Sequence, residues 1–125
     1  MTGQNTAPQD GLETLRVRLR QFARARDWDQ FHSPKNLSMA LIAEAAELVE
    51  HFQWLTEEQS RSLPPERLQE VALELADILI YLIRIADKLG VDLIDAAHRK
   101  IAVNEARYPA DQVRGSARRA AEYDR

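Results

Sequence analysis

The stretch VALELADILIYLIRIADKLG, residues 71–90, decides the fold. Its apolar residues occupy much of the circumference of a helix and do not alternate with polar ones as in a half-buried strand. Pro64-Pro65 precedes it and suits the start of a helix, and Gly90 suits the residue just past a helix end. The pattern therefore predicts one long helix that begins at the prolines and reaches Leu89.

Three further helices are predicted from apolar residues that recur every three or four positions. They extend from Leu12 to about Asp27, from Pro34 to Trp54, and from Asp92 to about Arg107. No segment has the sustained alternation of a strand. The predicted fold class is all-α, a four-helix bundle, and its third helix is apolar enough to need cover from another subunit.

The domain organisation follows from the same pattern. Residues 11–109 are predicted to form one domain, a size that suits a single hydrophobic core. Residues 1–10 are polar, and residues 110–125 are rich in Ala and Arg without a clear apolar face. We therefore expect a disordered N-terminus and a flexible C-terminal tail.

Composition excludes several classes of protein. The 125 residues include no cysteine, which rules out disulfides, zinc–thiolate sites and a cysteine nucleophile. The net charge of −3 supplies no basic field for nucleic acid. No apolar stretch approaches the roughly 20 residues of a membrane span. The first ten residues lack the basic and apolar regions of a signal peptide, so we expect a cytoplasmic protein.

Two acidic motifs lie in the middle of the predicted second and third helices. They are Glu44-Ala45-Ala46-Glu47 and Glu74-Leu75-Ala76-Asp77. Residues three apart share a helix face, so each motif projects two carboxylates from adjacent turns. If the helices are antiparallel neighbours, the four carboxylates face each other and repel. Raised pKa values or a bound cation would relieve that repulsion, and oxygen ligands suit Mg²⁺ or Mn²⁺.

The motifs alone leave two interpretations open. Acidic pairs at this spacing are common on solvated helix faces, whereas Asp77 lies among apolar neighbours where a free charge is costly. A metal site and a solvated acidic face are thus about equally supported. Iron is disfavoured, because no Glu is followed three residues later by His, as di-iron bundles require.

Candidate substrate-binding residues lie outside the acidic motifs. The aromatic and imidazole side chains suited to a nucleobase are those of Trp28, His32, Trp54 and Tyr81. A polar stripe at positions i, i+4 and i+7 of the fourth helix suits phosphates and sugar, and it consists of Lys100, Asn104 and Arg107. Each is also compatible with ordinary packing or a solvated surface. The chain has no Walker loop, Gly-rich dinucleotide motif or nucleophile elbow.

These residues lie in stretches that resemble a known family. The chain resembles the MazG-like superfamily of all-α nucleoside triphosphate pyrophosphohydrolases, and most closely its dCTP pyrophosphatase branch. The stretches that carry the resemblance are RDWDQFHSPKNL (26–37), EAAEL (44–48), FQW (52–54), ELADILIYL (74–82), VDL (91–93) and RYP (107–109), with Lys100 and Asn104.

The resemblance implies hydrolysis of a nucleoside triphosphate between its α and β phosphates, with Mg²⁺ as cofactor. The metal ligands it implies are Glu44, Glu47, Glu74 and Asp77. The substrate residues it implies are Trp28, Trp54, Tyr81 and Asn104 for base and sugar and Lys100 for phosphate, and we add His32 and Arg107. It also implies an active site between the subunits of a homodimer or homotetramer.

One position departs from the family pattern. Leu19 stands nine residues before Trp28, where the mammalian branch has a histidine. The resemblance therefore supports the phosphate chemistry more strongly than it supports a selectivity for cytosine.

Two questions stay open at this stage. The general base is predicted to be Glu44 or Glu47, a carboxylate that metal does not fully engage. The alternative functions are a non-enzymatic helical interaction module and a metal-dependent hydrolase of another phosphorylated metabolite.

Overall fold

A computed structural model describes residues 11–117, and every regular element within them is helical. This confirms the predicted all-α class. The elements are α1 (Gly11–Ala25), a 3₁₀ turn (Asp29–Phe31), α2 (Pro34–Glu50), α3 (Glu57–Ser60), α4 (Pro65–Leu89), α5 (Leu93–Arg107) and α6 (Ala110–Val113).

Local sequence signals explain most of the helix boundaries. The Ser33 hydroxyl accepts a hydrogen bond from the backbone N–H of Asn36 at the start of α2. Asp92 caps α5 in the same way. Gly90 ends α4 with a φ of 69°, in the left-handed region that favours glycine. The side chains of Ser33 and Asp92 satisfy backbone groups that a helix end leaves unpaired.

Two predicted helix ends were wrong by a few residues. The first helix ends at Ala25 rather than Asp27, because Asp27 turns the chain with a φ of 54°. The second ends at Glu50 rather than Trp54. The N–H groups of His51 and Phe52 bond to carbonyls three residues back, which tightens the helix into a turn. Trp54 therefore lies in a connecting turn and not on α2.

The chain divides into two compact units, which meet in sequence at Gly90 and Val91. In the first unit, α1 and α2 pack against α4. The core is small and uses residues from all three helices, namely Ala23, Leu37, Val71, Ile83 and Ala86.

The second unit contains α5 and α6. The segment predicted as a tail begins with one helical turn, Ala110–Val113. Residues 1–10 and 118–125 lie outside the described part of the chain, so the predictions for them stay predictions. None of the helices described is both long and apolar enough to cross a membrane.

A charged clamp joins α1 to α4. The buried carboxylate of Asp87 accepts hydrogen bonds from Arg20 at 2.7 Å (Nε) and 2.6 Å (Nη2), and from Nη1 of Arg16 at 3.2 Å. The hydrogen bonds from Arg20 are the main cause that holds the pKa of Asp87 below its usual value. Paired in this way, a buried carboxylate can stay ionised inside the helix contact.

Asp87→Asn is expected to lower the free energy of unfolding by about 2 kcal/mol, because it removes charged hydrogen bonds from the partly exposed guanidinium groups of Arg16 and Arg20 and takes a counter-charge from the buried Arg84. Urea denaturation would measure the loss. The matched control is Glu57→Gln, whose side chain and that of its partner Arg61 are both solvent-exposed, and it should change stability by less than about 0.5 kcal/mol. Equal effects of the two substitutions would contradict the clamp.

Candidate functional site

An acidic cluster, defined here as Glu44, Glu74 and Asp77, forms where α2 packs against α4. Glu44 lies in the middle of α2, and the other two lie one turn apart on α4. One carboxylate oxygen from each residue lies within 4.8 Å of the other two. The contact between the two helices brings these carboxylates together.

Glu47 lies at the edge of the acidic cluster. It is not one of the three residues whose oxygens converge, and its side chain is exposed. Its carboxylate nevertheless acts on the pKa values of both Glu44 and Glu74. The structure thus brings three of the four predicted ligands together and places the fourth beside them.

Burial and mutual repulsion dominate the electrostatics of the cluster. Loss of hydration, followed by the charges of Glu47 and Asp77, raises the pKa of Glu44 to about 7. The same two kinds of cause, desolvation first and then Glu47, raise the pKa of Glu74. The cluster therefore holds protons more tightly than separate carboxyl groups would.

The donor set fits a divalent cation. Oε2 of Glu44 and Oε2 of Glu74 are buried, and neither has a hydrogen-bond partner. Buried polar atoms are normally paired, so an orphaned oxygen on each of two acids in one cluster calls for a ligand. Carboxylate oxygens are preferred ligands of hard cations such as Mg²⁺. The acidic cluster is compatible with a divalent metal on these grounds.

His51 was missed by the sequence analysis and lies beside the cluster. Its Nε2 is 4.0 Å from Oε1 of Glu74, and its Nδ1 is 3.8 Å from Oε2 of Glu70. The position of His51 near the acids could have been inferred from the sequence, because His51 follows Glu44 by seven residues and Glu47 by four. Those intervals place all three on one side of α2 and its following turn.

Tyr81 is the predicted aromatic residue that lies nearest the acidic cluster. It follows Asp77 by one helical turn on α4 and is half-buried. Burial, and then the charges of Glu44 and Asp77, raise the pKa of its phenol. Its hydroxyl therefore stays protonated and can donate a hydrogen bond near the acids.

The other predicted aromatic residues of the first unit occupy different surroundings. Trp28 is 45% exposed and packs edge-on against Phe22, with ring centroids 5.7 Å apart. Trp54 is 86% exposed in the turn after α2. His32 follows the 3₁₀ turn, and its Nδ1 lies 3.2 Å from Nη2 of Arg84 on α4.

The three predicted residues of the polar stripe lie on α5, in the second unit. Lys100, Asn104 and Arg107 are all exposed. The guanidinium of Arg107 lies over the ring of Tyr108, 5.7 Å from its centroid. The substrate roles of these residues stay predictions.

Comparison with known families assigns the chain to one of them. Residues 40–122 match the model of the MazG-like family. The chain belongs to the MazG-like family. The match includes both acidic motifs, Tyr81 and the whole of α5, and it begins after Trp28 and His32.

Relatives and a solved structure agree with that assignment. The chain is 43% identical over 113 residues to dCTP pyrophosphatase 1 of Mus musculus, covering 89% of this chain and 66% of that protein. It is 41% identical over 115 residues to dCTP pyrophosphatase 1 of Homo sapiens, covering 90% and 68% respectively. The chain thus spans about two thirds of the length of these relatives. A pyrophosphatase from Archaeoglobus fulgidus superposes with a TM-score of 0.77 at 36% identity, covering 85% of this chain and 99% of that one.

Proposed function

We propose that this protein is a Mg²⁺-dependent nucleoside triphosphate pyrophosphohydrolase. Its proposed substrate is dCTP or a related or modified pyrimidine deoxynucleotide, cleaved to the monophosphate and pyrophosphate. Removal of such nucleotides from the cytoplasmic pool is the proposed role. The observation that carries the proposal is the acidic cluster, with its orphaned buried oxygens, in a MazG-like chain. The names of the dCTP pyrophosphatase relatives support the substrate class.

Glu44, Glu74 and Asp77 would hold the metal, and Glu47 lies close enough to their charges to join them. A bound Mg²⁺ supplies neutralisation of charge on the phosphate oxygens and a fixed orientation for the reacting groups. The chain's own contribution is to hold three carboxylates at short range in a partly dehydrated site, where their attraction for a cation is stronger than in water.

Glu47 is the proposed general base. A group that accepts the proton of an attacking water must be a carboxylate that metal does not fully engage. Glu47 is exposed, and it borders the acidic cluster without converging on it. Glu44 is the alternative, and its raised pKa of about 7 would keep a proton on it at acidic pH.

The substrate's base and sugar would lie along the surface near Tyr81. Tyr81 follows the acidic cluster on α4, and the exposed rings of Trp28 and Trp54 are available for stacking. His32 is proposed to contact the base. Lys100, Asn104 and Arg107 on α5 are proposed to contact phosphate and sugar, since they offer two cations and one amide on one face.

The protein is expected to be a homodimer or homotetramer. Large apolar side chains of α2 and α4 remain exposed in the single chain, including Ile42 (69%), Leu73 (69%) and Leu68 (56%). Exposed apolar side chains of this size favour an interface with another subunit, and a site completed by that subunit would follow from it. Light scattering at micromolar concentration should give a mass of two or four chains. A mass of about 14 kDa would contradict this expectation.

The product of hydrolysis should be pyrophosphate. Attack at the α-phosphorus leaves the β and γ phosphates joined, so each turnover should release one pyrophosphate and one nucleoside monophosphate. Incubation with dCTP, dTTP, dUTP and 5-methyl-dCTP in Mg²⁺, followed by separation of the products, tests this. Release of a nucleoside diphosphate or of free orthophosphate would overturn the mechanism.

The same assay, extended to other phosphorylated metabolites, separates the alternative functions. Turnover confined to a phosphorylated metabolite outside the panel would favour a hydrolase of another substrate class. No turnover of any phosphorylated compound would favour a helical interaction module. The parent and an Asp77→Asn variant should be assayed in parallel, so that a contaminating hydrolase is recognised.

A further inference from the structure

Arg84 is the buried charged residue of the described chain, and the proposed function does not use it. Its side chain extends from α4 and is buried, with 4% of its surface exposed. The two protons of one terminal nitrogen, Nη2, point to two partners. Nη2 is 3.0 Å from Oδ1 of Asp29 and 3.2 Å from Nδ1 of His32. The other terminal nitrogen is 3.5 Å from Oδ2 of Asp87.

The contact with Arg84 determines the protonation of the His32 ring. A guanidinium only donates hydrogen bonds and does not lose its proton in proteins, so Nδ1 of His32 must accept. A neutral imidazole that accepts at Nδ1 carries its hydrogen on Nε2. Burial, together with the positive charges of Arg84 and Lys88, lowers the pKa of His32, while Asp29 opposes them. Geometry and charge therefore agree on one neutral tautomer.

Arg84 also holds the backbone segment that carries His32. Asp29 begins the 3₁₀ turn, and its Oδ1 accepts from Arg84 and from Nζ of Lys88, the latter at 2.6 Å. The carboxylate is thus fixed between two cations of α4. The segment between Trp28 and His32 is attached to α4 through two of its side chains, those of Asp29 and His32.

The attachment point lies on the same side of α4 as the acidic cluster. Glu74, Asp77, Tyr81 and Arg84 follow one another at intervals of three, four and three residues. That spacing keeps them on one helix face. Arg84 lies seven residues beyond Asp77, or about 10 Å along the helix. This is comparable to the span of a nucleoside from its 5′ phosphate to its base.

We propose that Arg84 is a positioning residue that makes His32 a hydrogen-bond donor, through Nε2–H, to the carbonyl oxygen of a pyrimidine base. The inference rests on the proposed function and adds a base-selecting contact to it. No hydrogen bond from Nε2 occurs within the described residues. The carbonyl at position 2 is common to cytosine, uracil and thymine, so this contact selects pyrimidines over adenine and not cytosine over thymine.

The tautomer can be measured directly in the whole protein. Long-range ¹H–¹⁵N spectra of ¹⁵N-histidine-labelled protein at pH 7.5 distinguish the two neutral tautomers and the charged ring. His32 should be neutral with its hydrogen on Nε2, both with and without dCTP. A ring that carries hydrogen on Nδ1, whether neutral or charged, would overturn the proposal before any kinetic assay.

Kinetics then test the contact with the base. His32→Phe removes the donor and should raise the KM for dCTP by roughly three- to tenfold, the range expected for one hydrogen bond, with kcat little changed. His32→Gln keeps an amide N–H near the position of Nε2 and should recover part of the loss. Neither variant should change the KM for deoxyribose 5′-triphosphate, which lacks a base.

Arg84→Met should raise the KM for dCTP as His32→Phe does and leave the histidine ring a mixture of tautomers. Lys88→Met is the matched control, because it removes the second cation on Asp29 without touching His32, and it should keep the KM within about twofold. If Arg84→Met does not fold, the spectra still decide which tautomer His32 adopts, and the His32 variants still decide whether it donates to the base.

The outcomes distinguish a failure of this inference from a failure of the proposed function on which it rests. Turnover of dCTP with an unchanged KM in His32→Phe would overturn the donor role and leave the proposed function standing. An equal rise in KM for the base-free triphosphate would also overturn it, since the contact would then not involve the base. A parent protein that hydrolyses no nucleotide would overturn the proposed function and this inference together.

Discussion

Asp77→Asn should lower the turnover of dCTP by at least about a hundredfold, while the metal-free variant stays as stable as the parent or becomes more stable. Asp77 is one of three carboxylates whose oxygens converge within 4.8 Å. Loss of one ligand weakens the binding of a metal ion that would stabilise the charge on the phosphates by several kcal/mol. The amide keeps the shape of the side chain and removes a like charge, so the repulsion in the apo fold decreases.

Turnover and melting curves in chelator, measured for the parent and the variant, check both parts of this expectation. The matched control is Glu66→Gln, an exposed acid in the first turn of the same helix. It should leave turnover intact and change stability by less than about 0.5 kcal/mol. A variant that melts well below the parent in chelator, or keeps parental turnover, would contradict the acidic cluster as a metal site.

The stability of the metal-free protein should fall as the pH rises from about 4.5 to about 7. The folded-state pKa of Glu44 is raised from 4.5 to about 7, chiefly by burial and then by Glu47. Between those values the folded protein binds more protons than the unfolded chain, so the stability decreases with rising pH. Glu74, whose pKa is also raised, acts in the same direction.

Melting temperatures at pH 5 and pH 8, in chelator and in Mg²⁺, test this expectation. Mg²⁺ should restore stability at pH 8, because a ligand that binds only the folded state adds about 2.7 kcal/mol at a hundred times its Kd. It should do little at pH 5, where protons compete for the carboxylates. Glu44→Gln should flatten the decline in chelator. His32, whose pKa is lowered, acts in the opposite direction below pH 6.5, so the comparison with Glu44→Gln decides. A parent whose stability declines no more steeply than that of this variant would contradict the raised pKa of Glu44.

The sequence determined much of the fold through short-range signals. The apolar run over residues 71–89 predicted α4, and Pro34, Gly90 and Asp92 marked helix ends that the structure confirms. Such signals suffice because a cap or a helix face depends on residues within one or two turns of each other. The resemblance to the MazG-like family, carried by the acidic motifs and their flanking stretches, is confirmed by the family match.

Other features arise only from the packing of separate elements. The spacing within each acidic motif was visible in the sequence, but the sequence did not distinguish the three acids that converge from Glu47, which lies at their edge. That distinction depends on how α2 is rotated against α4, which residues far apart in the chain decide together. The turn that places Trp54 outside α2 was likewise not apparent from its apolar spacing.

The charged contacts across the helices show the same limit most clearly. Nothing in the spacing of α4 singles out Arg84, yet it is buried and bonded to residues 52 and 55 positions earlier in the chain. Asp87 holds α1 through residues 67 and 71 positions away. Sequence patterns record which residues share a face of one helix. Only tertiary structure determines which side chain from another element meets that face, because burial and pairing are set jointly by both partners.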